Sequence, residues 1–253
     1  MVELATPGLP ANRQIRSRAA FQPSMGDVIS LMERRARRAP PAVPAAPEPA
    51  VRGPGRPRVT FFFDLVSPWT YLAAERAERM LPGGRWRPAT GEVLLGGRTA
   101  PDPRDLLRRE AAERRADELA LPLVWPEGWP MAGQAAMRVA AMAAERGMAA
   151  PFVLAAGRLA FCGGYDLDDP EVIAEAAAAA CLALDDALAA AAEIRRDGAM
   201  ERAAMRLLRR GADELPAAVV GRRLFAGEGR LAEAAAAASL TPAPGRRRTA
   251  GPG

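Results

Sequence analysis

Histidine and lysine are both absent from this 253-residue chain, so all 35 of its basic residues are arginine. Without histidine there is no Ser-His-Asp or Cys-His nucleophile activation, no HExxH zinc site and no imidazole acid or base. Without lysine there is no P-loop lysine, no Schiff base and no kinase-type catalytic lysine. Cysteine is almost absent: Cys162 and Cys181 form no CxxC or metal-ligand spacing. Neither a disulfide framework nor a bound metal is expected, and a reducing, cytoplasmic setting fits. Cys181 lies in the alanine run from Glu175 to Ala191 and reads as a buried helical thiol, while nothing near Cys162 marks it as activated. No run of 18 apolar residues occurs, so no membrane-spanning helix is expected. The N-terminus lacks the apolar core of a signal peptide. What chemistry remains must rest on carboxylates, hydroxyls, backbone N–H groups, arginine or a bound small molecule.

The net charge of +5 and a pI near 10.3 suggest nucleic acid, but the distribution of charge argues against it. Residues 1–57 hold nine arginines against four acids (Glu3, Asp27, Glu33 and Glu48), and residues 241–253 hold Arg246, Arg247 and Arg248 with no acid. Residues 58–240 hold 23 arginines against 26 acids. The body is therefore slightly acidic and the ends are basic, a pattern of solvated tails rather than of a basic binding face. Ala39 to Pro57 is rich in Pro, Ala and Gly without apolar periodicity and reads as an extended linker. Thr241 to Gly253 reads as a second disordered tail. Met25 to Arg38 has the periodicity of a short helix, and Met25, which opens it, is the expected native start. Nucleic-acid binding is disfavoured, and no membrane partner is expected.

In the body, Arg58 to Phe63 is an apolar, β-rich run, and Ser67-Pro68 then opens a helical pattern over Trp69 to Met80. Serine at the N-cap with proline at the first helical position is a start signal. Leu81-Pro82-Gly83-Gly84 stops the helix, and Arg85 to Pro88 reads as a second strand with Trp86 inward. Helical patterns then fill about residues 103–210, including an Asp168-Asp169-Pro170-Glu171 cap and alanine-rich segments able to pack closely. Leu215 to Val220, a turn at Gly221-Arg222, and Arg223 to Phe225 read as a hairpin before a final helix over Gly227 to Ala238. The order β-α-β, helical block, β-β-α predicts an α/β fold: a small mixed sheet with a large helical insertion.

Ser67 is the point of chemical interest. A strand feeding into a helix N-terminus presents unpaired N–H groups and the positive end of the helix dipole, which stabilise an anion such as a thiolate. A serine hydroxyl there can donate to it. The sequence supplies no thiol at that point, so one would arrive with a ligand. Read alone, the same Ser67-Pro68 is a helix cap.

The segment from Phe62 to Leu72 (FFDLVSPWTYL) resembles the opening motif of the 2-hydroxychromene-2-carboxylate isomerase and kappa-class glutathione transferase group of the DsbA-like thioredoxin superfamily. Three further segments agree in order: Leu121 to Arg138, Gly164 to Val172, and Leu215 to Leu231. The resemblance covers residues 58–240 and implies a thioredoxin-like sheet interrupted by a helical domain. It further implies Ser67 in place of the redox cysteine, as the group that activates glutathione or another low-molecular-weight thiol for isomerase or transferase chemistry. Pro68, Trp69, Leu215, Pro216, Gly229 and Arg230 match positions that hold the thiol ligand, with Pro216 at the cis-proline. Trp125 and Trp129 would cover a small aromatic or chromene-type carboxylate substrate, or line the contact between subdomains. Tyr71 can face the pocket or the core, and Arg138 can pair a substrate carboxylate or meet solvent. A homodimer is open. Pro130-Met131-Ala132-Gly133, Leu215-Pro216-Ala217-Ala218 and Gly227-Glu228-Gly229-Arg230 replace more polar sequences of the family. A non-catalytic thioredoxin-like binding or scaffold protein therefore stands as the alternative. A dithiol oxidoreductase is disfavoured, since Ser67 and Tyr71 provide no cysteine pair at the helix start.

Overall fold

The computed structural model of the chain describes residues 58–96, 104–130 and 132–240. The expected tails, the helix over Met25 to Arg38 and the start at Met25 lie outside those residues. Strand β1 (Val59–Phe63) leads into helix α1 (Pro68–Met80) and parallel strand β2 (Arg85–Pro88). A single-turn helix, α2 (Gly91–Leu94), follows β2. Six longer helices make the insertion: α3 (Arg104–Glu118), α4 (Gln134–Glu145), α5 (Ala149–Phe161), α6 (Pro170–Ala179), α7 (Leu184–Ala192) and α8 (Asp197–Leu208). Strands β3 (Ala217–Val220) and β4 (Arg223–Ala226) then form the hairpin, and α9 (Leu231–Leu240) closes the order. The sheet runs β2-β1-β3-β4, with β1 parallel to β2 and antiparallel to β3. This is the β-α-β, helical block, β-β-α order that the sequence predicts.

The run of three phenylalanines in β1 is explained by a sheet covered on both faces. Phe61 and Phe63 point into the main core, where the Phe61 ring lies 4.5 Å from Trp86 and Phe63 lies 6.0 Å from it. Phe62 points the other way, to a smaller core of Ala217, Val219, Leu94, Ala204 and Leu207. Successive strand residues alternate faces, so a strand buried on both sides reads as a continuous apolar run. In β2 the alternation is plain: Trp86 is buried between exposed Arg85 and Arg87.

Cys181, in the alanine run from Glu175 to Ala191, departs from expectation. It lies between the two helices of the run and takes a left-handed backbone (φ 55°) just past the end of α6. The Cys181 N–H bonds the Ala178 carbonyl at 3.0 Å and the Leu182 N–H bonds that of Ala177 at 2.8 Å, closing the helix end. This turns Leu182 into the core and leaves the Cys181 thiol exposed rather than buried in a helix. The Asp169 cap is as read: its side chain accepts from the Glu171 N–H at 2.8 Å.

The helical insertion is joined to the sheet domain by a buried charge cluster. Glu228, 4% exposed, lies in a 3-10 turn (Glu228–Arg230) and bonds both Arg76 on α1 and Arg115 on α3, the latter at 2.8 Å. Neighbouring Glu118 takes a further Arg115 nitrogen at 2.7 Å.

Candidate functional site

Ser67 stands at the N-cap of α1 with extended backbone (φ −91°, ψ 122°), and Pro68 is the first helical residue. Its side chain does not cap the helix, and its hydroxyl has no hydrogen-bond partner among the described residues. The backbone does the capping: the Ser67 carbonyl accepts from Thr70 at 3.0 Å and from Tyr71 at 3.4 Å. The Trp69 N–H, in the first turn where no intrahelical acceptor exists, has no partner among the described residues. One hydroxyl and one N–H are thus free at the positive end of a 13-residue helix.

Asp64 builds the turn that presents Ser67. It is 5% exposed, and its Oδ1 accepts from the Val66 N–H at 3.1 Å while Oδ2 accepts from the Gly91 N–H at 2.6 Å. Its carbonyl accepts from the Ser67 N–H at 3.2 Å, and its own N–H donates to Thr70 Oγ1 at 3.2 Å. Burial pushes the Asp64 carboxyl pKa above its ordinary value, the two backbone donors opposing that rise and Glu92 adding to it. The preference of a buried carboxyl for its neutral form follows from lost solvation.

Ser67 opens onto a cavity of about 300 Å³. Its apolar wall is Val66, Pro68, Trp69, Leu95, Trp129, Pro130 and Leu215, and its polar wall Asp64, Glu92, Asp105, Arg108, Asp213 and Glu214. Both Trp129–Pro130 and Leu215–Pro216 are cis peptides, so the position matched to the cis-proline is cis in this fold. The Pro216 carbonyl accepts from Gly227 at 2.8 Å, whereas the Leu215 N–H and carbonyl have no backbone partner among the described residues. An extended ligand backbone can pair there, as a strand pairs with an open edge.

The structure brings Ser67, Pro68, Trp69, Trp129 and Leu215 to this one cavity, with buried Pro216 directly after Leu215. Five other residues read from the sequence lie elsewhere. Tyr71 is 2% exposed; its hydroxyl contacts the Pro122 carbonyl at 2.8 Å and Cys162 Sγ at 3.1 Å, and its ring stacks on Phe161. Burial and the Cys162 thiol hold its hydroxyl well above the usual phenol range. Tyr71 is therefore a core residue, turned toward α5 by the packing of α1. Trp125 does not line the cavity; it sits behind Trp129 at 4.6 Å, donates to Glu113 at 2.6 Å and carries the Arg109 guanidinium at 4.7 Å. Arg138 is spent on a bidentate pair with Asp197 at 2.8 and 2.7 Å. Gly229 and Arg230 border an adjoining depression with Arg210 and Leu224, which shares Asp213 and Glu214 with the Ser67 cavity; there Arg230 pairs with Glu233 at 2.7 Å and lies over Phe225. Conversely, Asp64, Glu92, Leu95, Asp105, Arg108, Asp213 and Glu214 line the cavity without having been singled out. Only Asp64, inside the motif, and Asp213-Glu214, just before Leu215-Pro216, had a sequence signal in their positions.

A family model for the DSBA-like thioredoxin domain matches residues 58–238. The chain belongs to this family. No curated protein matches at a significant level. Among solved structures, 2-hydroxychromene-2-carboxylate isomerase resembles the domain with a TM-score of 0.60 at 19% identity, over 72% of this chain and 94% of that one. A probable DsbA oxidoreductase from Streptomyces coelicolor resembles it with a TM-score of 0.53, also at 19% identity, over 72% and 90%. At these identities the likeness shows the shared thioredoxin-like fold with its helical insertion. No helix among the described residues is long and apolar enough to cross a membrane.

A low-molecular-weight thiol is the group this family resemblance implies, and the site fits one end of such a molecule. The free Ser67 hydroxyl, the Trp69 N–H and the helix dipole suit a thiolate, and the open Leu215 backbone suits an amide. The carboxylates of glutathione fit less well, because the polar wall is itself made of carboxylates.

Proposed function

We propose that the domain is a thiol-dependent isomerase or transferase acting on a small aromatic molecule. The observation that supports this reading is the uncommitted Ser67 hydroxyl at the start of α1, facing a cavity with aromatic walls. Ser67 donates its hydroxyl proton to the sulfur and, with the Trp69 N–H, lowers the thiol pKa by favouring the anion. The backbone of Leu215 holds an amide of the thiol molecule alongside β3. Trp69 and Trp129 offer faces against which a flat ring stacks, and the cavity excludes water around the reacting carbon. The bound thiol supplies reversible addition to a conjugated double bond, the chemistry by which a double-bond geometry is changed without net consumption of the thiol. The solved neighbour is named for 2-hydroxychromene-2-carboxylate, and a chromene-type carboxylate is the first substrate to try.

Calorimetric titration of glutathione, 2-mercaptoethanol and cysteamine into the wild type and Ser67→Ala tests the reading. A charge-assisted hydrogen bond is worth about 1.5–3 kcal/mol, so Ser67→Ala is expected to weaken thiol binding roughly 10- to 100-fold. If no thiol binds the wild type, the proposal is wrong. Thiol binding without thiol-stimulated loss of chromene absorbance would instead favour a binding protein that kept the fold, the reading suggested by the polar residues replaced around Pro130, Leu215 and Gly229.

A further inference from the structure

The segment from Gly164 to Val172 belongs to the ordered set of motifs in the sequence, yet none of its residues lines the cavity in front of Ser67. Its three aspartates do three different jobs. Asp166 Oδ1 accepts from the Asp168 N–H at 2.9 Å and folds the segment into a turn. Asp169 caps α6. Asp168 reaches 33 residues back along the chain, where its Oδ1 accepts from the Ala135 N–H at 2.9 Å. Ala135 lies in the first turn of α4, whose N-cap is Gly133, a residue with no side chain to offer. Asp168 therefore supplies from a distance the cap that Gly133 cannot.

The start of α4 is also where the helical insertion meets the turn that carries Ser67. Three contacts tie the two together. Trp129 Nε1 donates to the Val66 carbonyl at 3.4 Å. Gly133 lies between the side chains of Val66 and Leu167, so near Val66 that a methyl group added there would overlap it. The buried Leu65 N–H donates to Met137 Sδ at 3.3 Å. Leu65 and Val66 directly precede Ser67, and Trp129 and Pro130 form part of the cavity wall. Leu167, 1% exposed, stands between Asp166 and Asp168, so the segment that caps α4 also packs on its first turn.

Resting on the thiol-dependent reading, we infer that Asp168 is a positioning residue of the Ser67 site. Its bond to Ala135 fixes the first turn of α4, and through Trp129, Gly133 and Met137 that turn fixes both the approach to Ser67 and the Trp129 wall. Asp168 itself does not touch the cavity. With the cap removed, a first-turn N–H of α4 loses its acceptor, the turn frays, and Val66 and Trp129 lose their common support. Asparagine caps a helix about as well as aspartate, so the role belongs to the placed oxygen and not to the charge.

The full chain is compared as wild type, Asp168→Ala, Asp168→Asn and Asp169→Ala. Asp169→Ala is the control: it removes a cap of the same kind, bonded at 2.8 Å, from α6, none of whose residues lines the cavity. Two quantities are read. One is the indole N–H resonance of Trp129 in the free protein, identified by its loss in Trp129→Phe; the other is the calorimetric affinity for cysteamine, 2-mercaptoethanol and glutathione. Both alanine variants should lower the melting temperature. Only Asp168→Ala should move the Trp129 resonance and weaken thiol binding about fivefold, the factor to which loss of a typical helix cap amounts, and Asp168→Asn should restore both. If circular dichroism shows Asp168→Ala to be unfolded, Asp168→Ser, whose hydroxyl is one bond shorter, takes its place with the same expectations. A Trp129 resonance that stays in place or moves equally in Asp169→Ala, a thiol affinity unaltered by Asp168→Ala, or an asparagine variant that behaves as alanine would overturn the inference and leave the thiol reading standing. Absence of thiol binding to the wild type would overturn the thiol reading, and the Trp129 resonance would still decide whether Asp168 positions the wall.

Discussion

Replacing Asp64 by alanine removes the acceptor that ties the Ser67 turn to α2. Two backbone donors lose their partner: the Val66 N–H, 3.1 Å from Oδ1, and the Gly91 N–H, 2.6 Å from Oδ2. A buried donor left unsatisfied costs about 1–3 kcal/mol, and both residues are only part-buried, so the lower half of the range applies to each. The expected loss is about 2–4 kcal/mol. A second effect runs with pH. The folded-state pKa of Asp64 lies above its ordinary value because burial disfavours the charge. For a carboxyl raised on folding, the stabilising contribution is complete below the unfolded pKa, about 4, and declines as pH rises through the folded pKa. The difference between wild type and Asp64→Ala should therefore be larger at pH 4 than at pH 7. Urea unfolding at the two pH values measures both quantities, with Asp64→Asn as a control that cannot titrate. In Asp64→Asn, one amide oxygen can still accept while the amide nitrogen faces a donor, so its cost should fall below that of alanine. A stability gap that grows from pH 4 to pH 7, or an alanine variant as stable as wild type at pH 4, would refute the reasoning.

Two other substitutions probe the supports of the site. Glu228→Ala leaves Arg76 and Arg115 facing each other without their shared carboxylate, and should cost about 3 kcal/mol in thermal or urea unfolding, the low end for breaking a buried ion pair because both arginines retain some water; a loss under about 1 kcal/mol would contradict it. Gly133→Ala places a methyl 2.4 Å from Val66 Cγ1, so Val66 must shift. The cost should be about 1–3 kcal/mol from overpacking, with weaker thiol binding because Val66 precedes Ser67; unchanged stability and unchanged thiol affinity together would show that Val66 yields freely.

Features set by local chemistry were legible before any coordinates. The Ser67-Pro68 helix start, the stop at Leu81 to Gly84, the Asp169 cap and the Gly221-Arg222 turn each depend on residues within one turn of one another. The alternation of Trp86 between two arginines needs only the pleat of a strand. The alanine-rich run marks where this legibility ends: alanine favours helix at every position, so nothing in it announces that Cys181 breaks the run and leaves the helix. The direction of Tyr71 was open for a similar reason. It lies four residues beyond Ser67, close to the same helix face, and only the position of α5 decides that its ring stacks on Phe161 instead of meeting the cavity.

By itself, the sequence determined that there is no imidazole, no lysine amine and no cysteine pair to do the chemistry, and that a serine would stand at the start of a helix following a buried strand. Those are matters of residue type and short-range order. Tertiary structure alone decided the electrostatic character of the cavity. Its acidic wall is assembled from the α2 turn, α3 and the loop before cis-Pro216, segments whose charges look unremarked along the chain because nearly as many arginines surround them. The fold turns Arg138 and Arg115 away to partners of their own and brings Glu92, Asp213 and Glu214 to the rim of one space. The sign of a site is a sum over neighbours in space, and composition along the chain does not contain it.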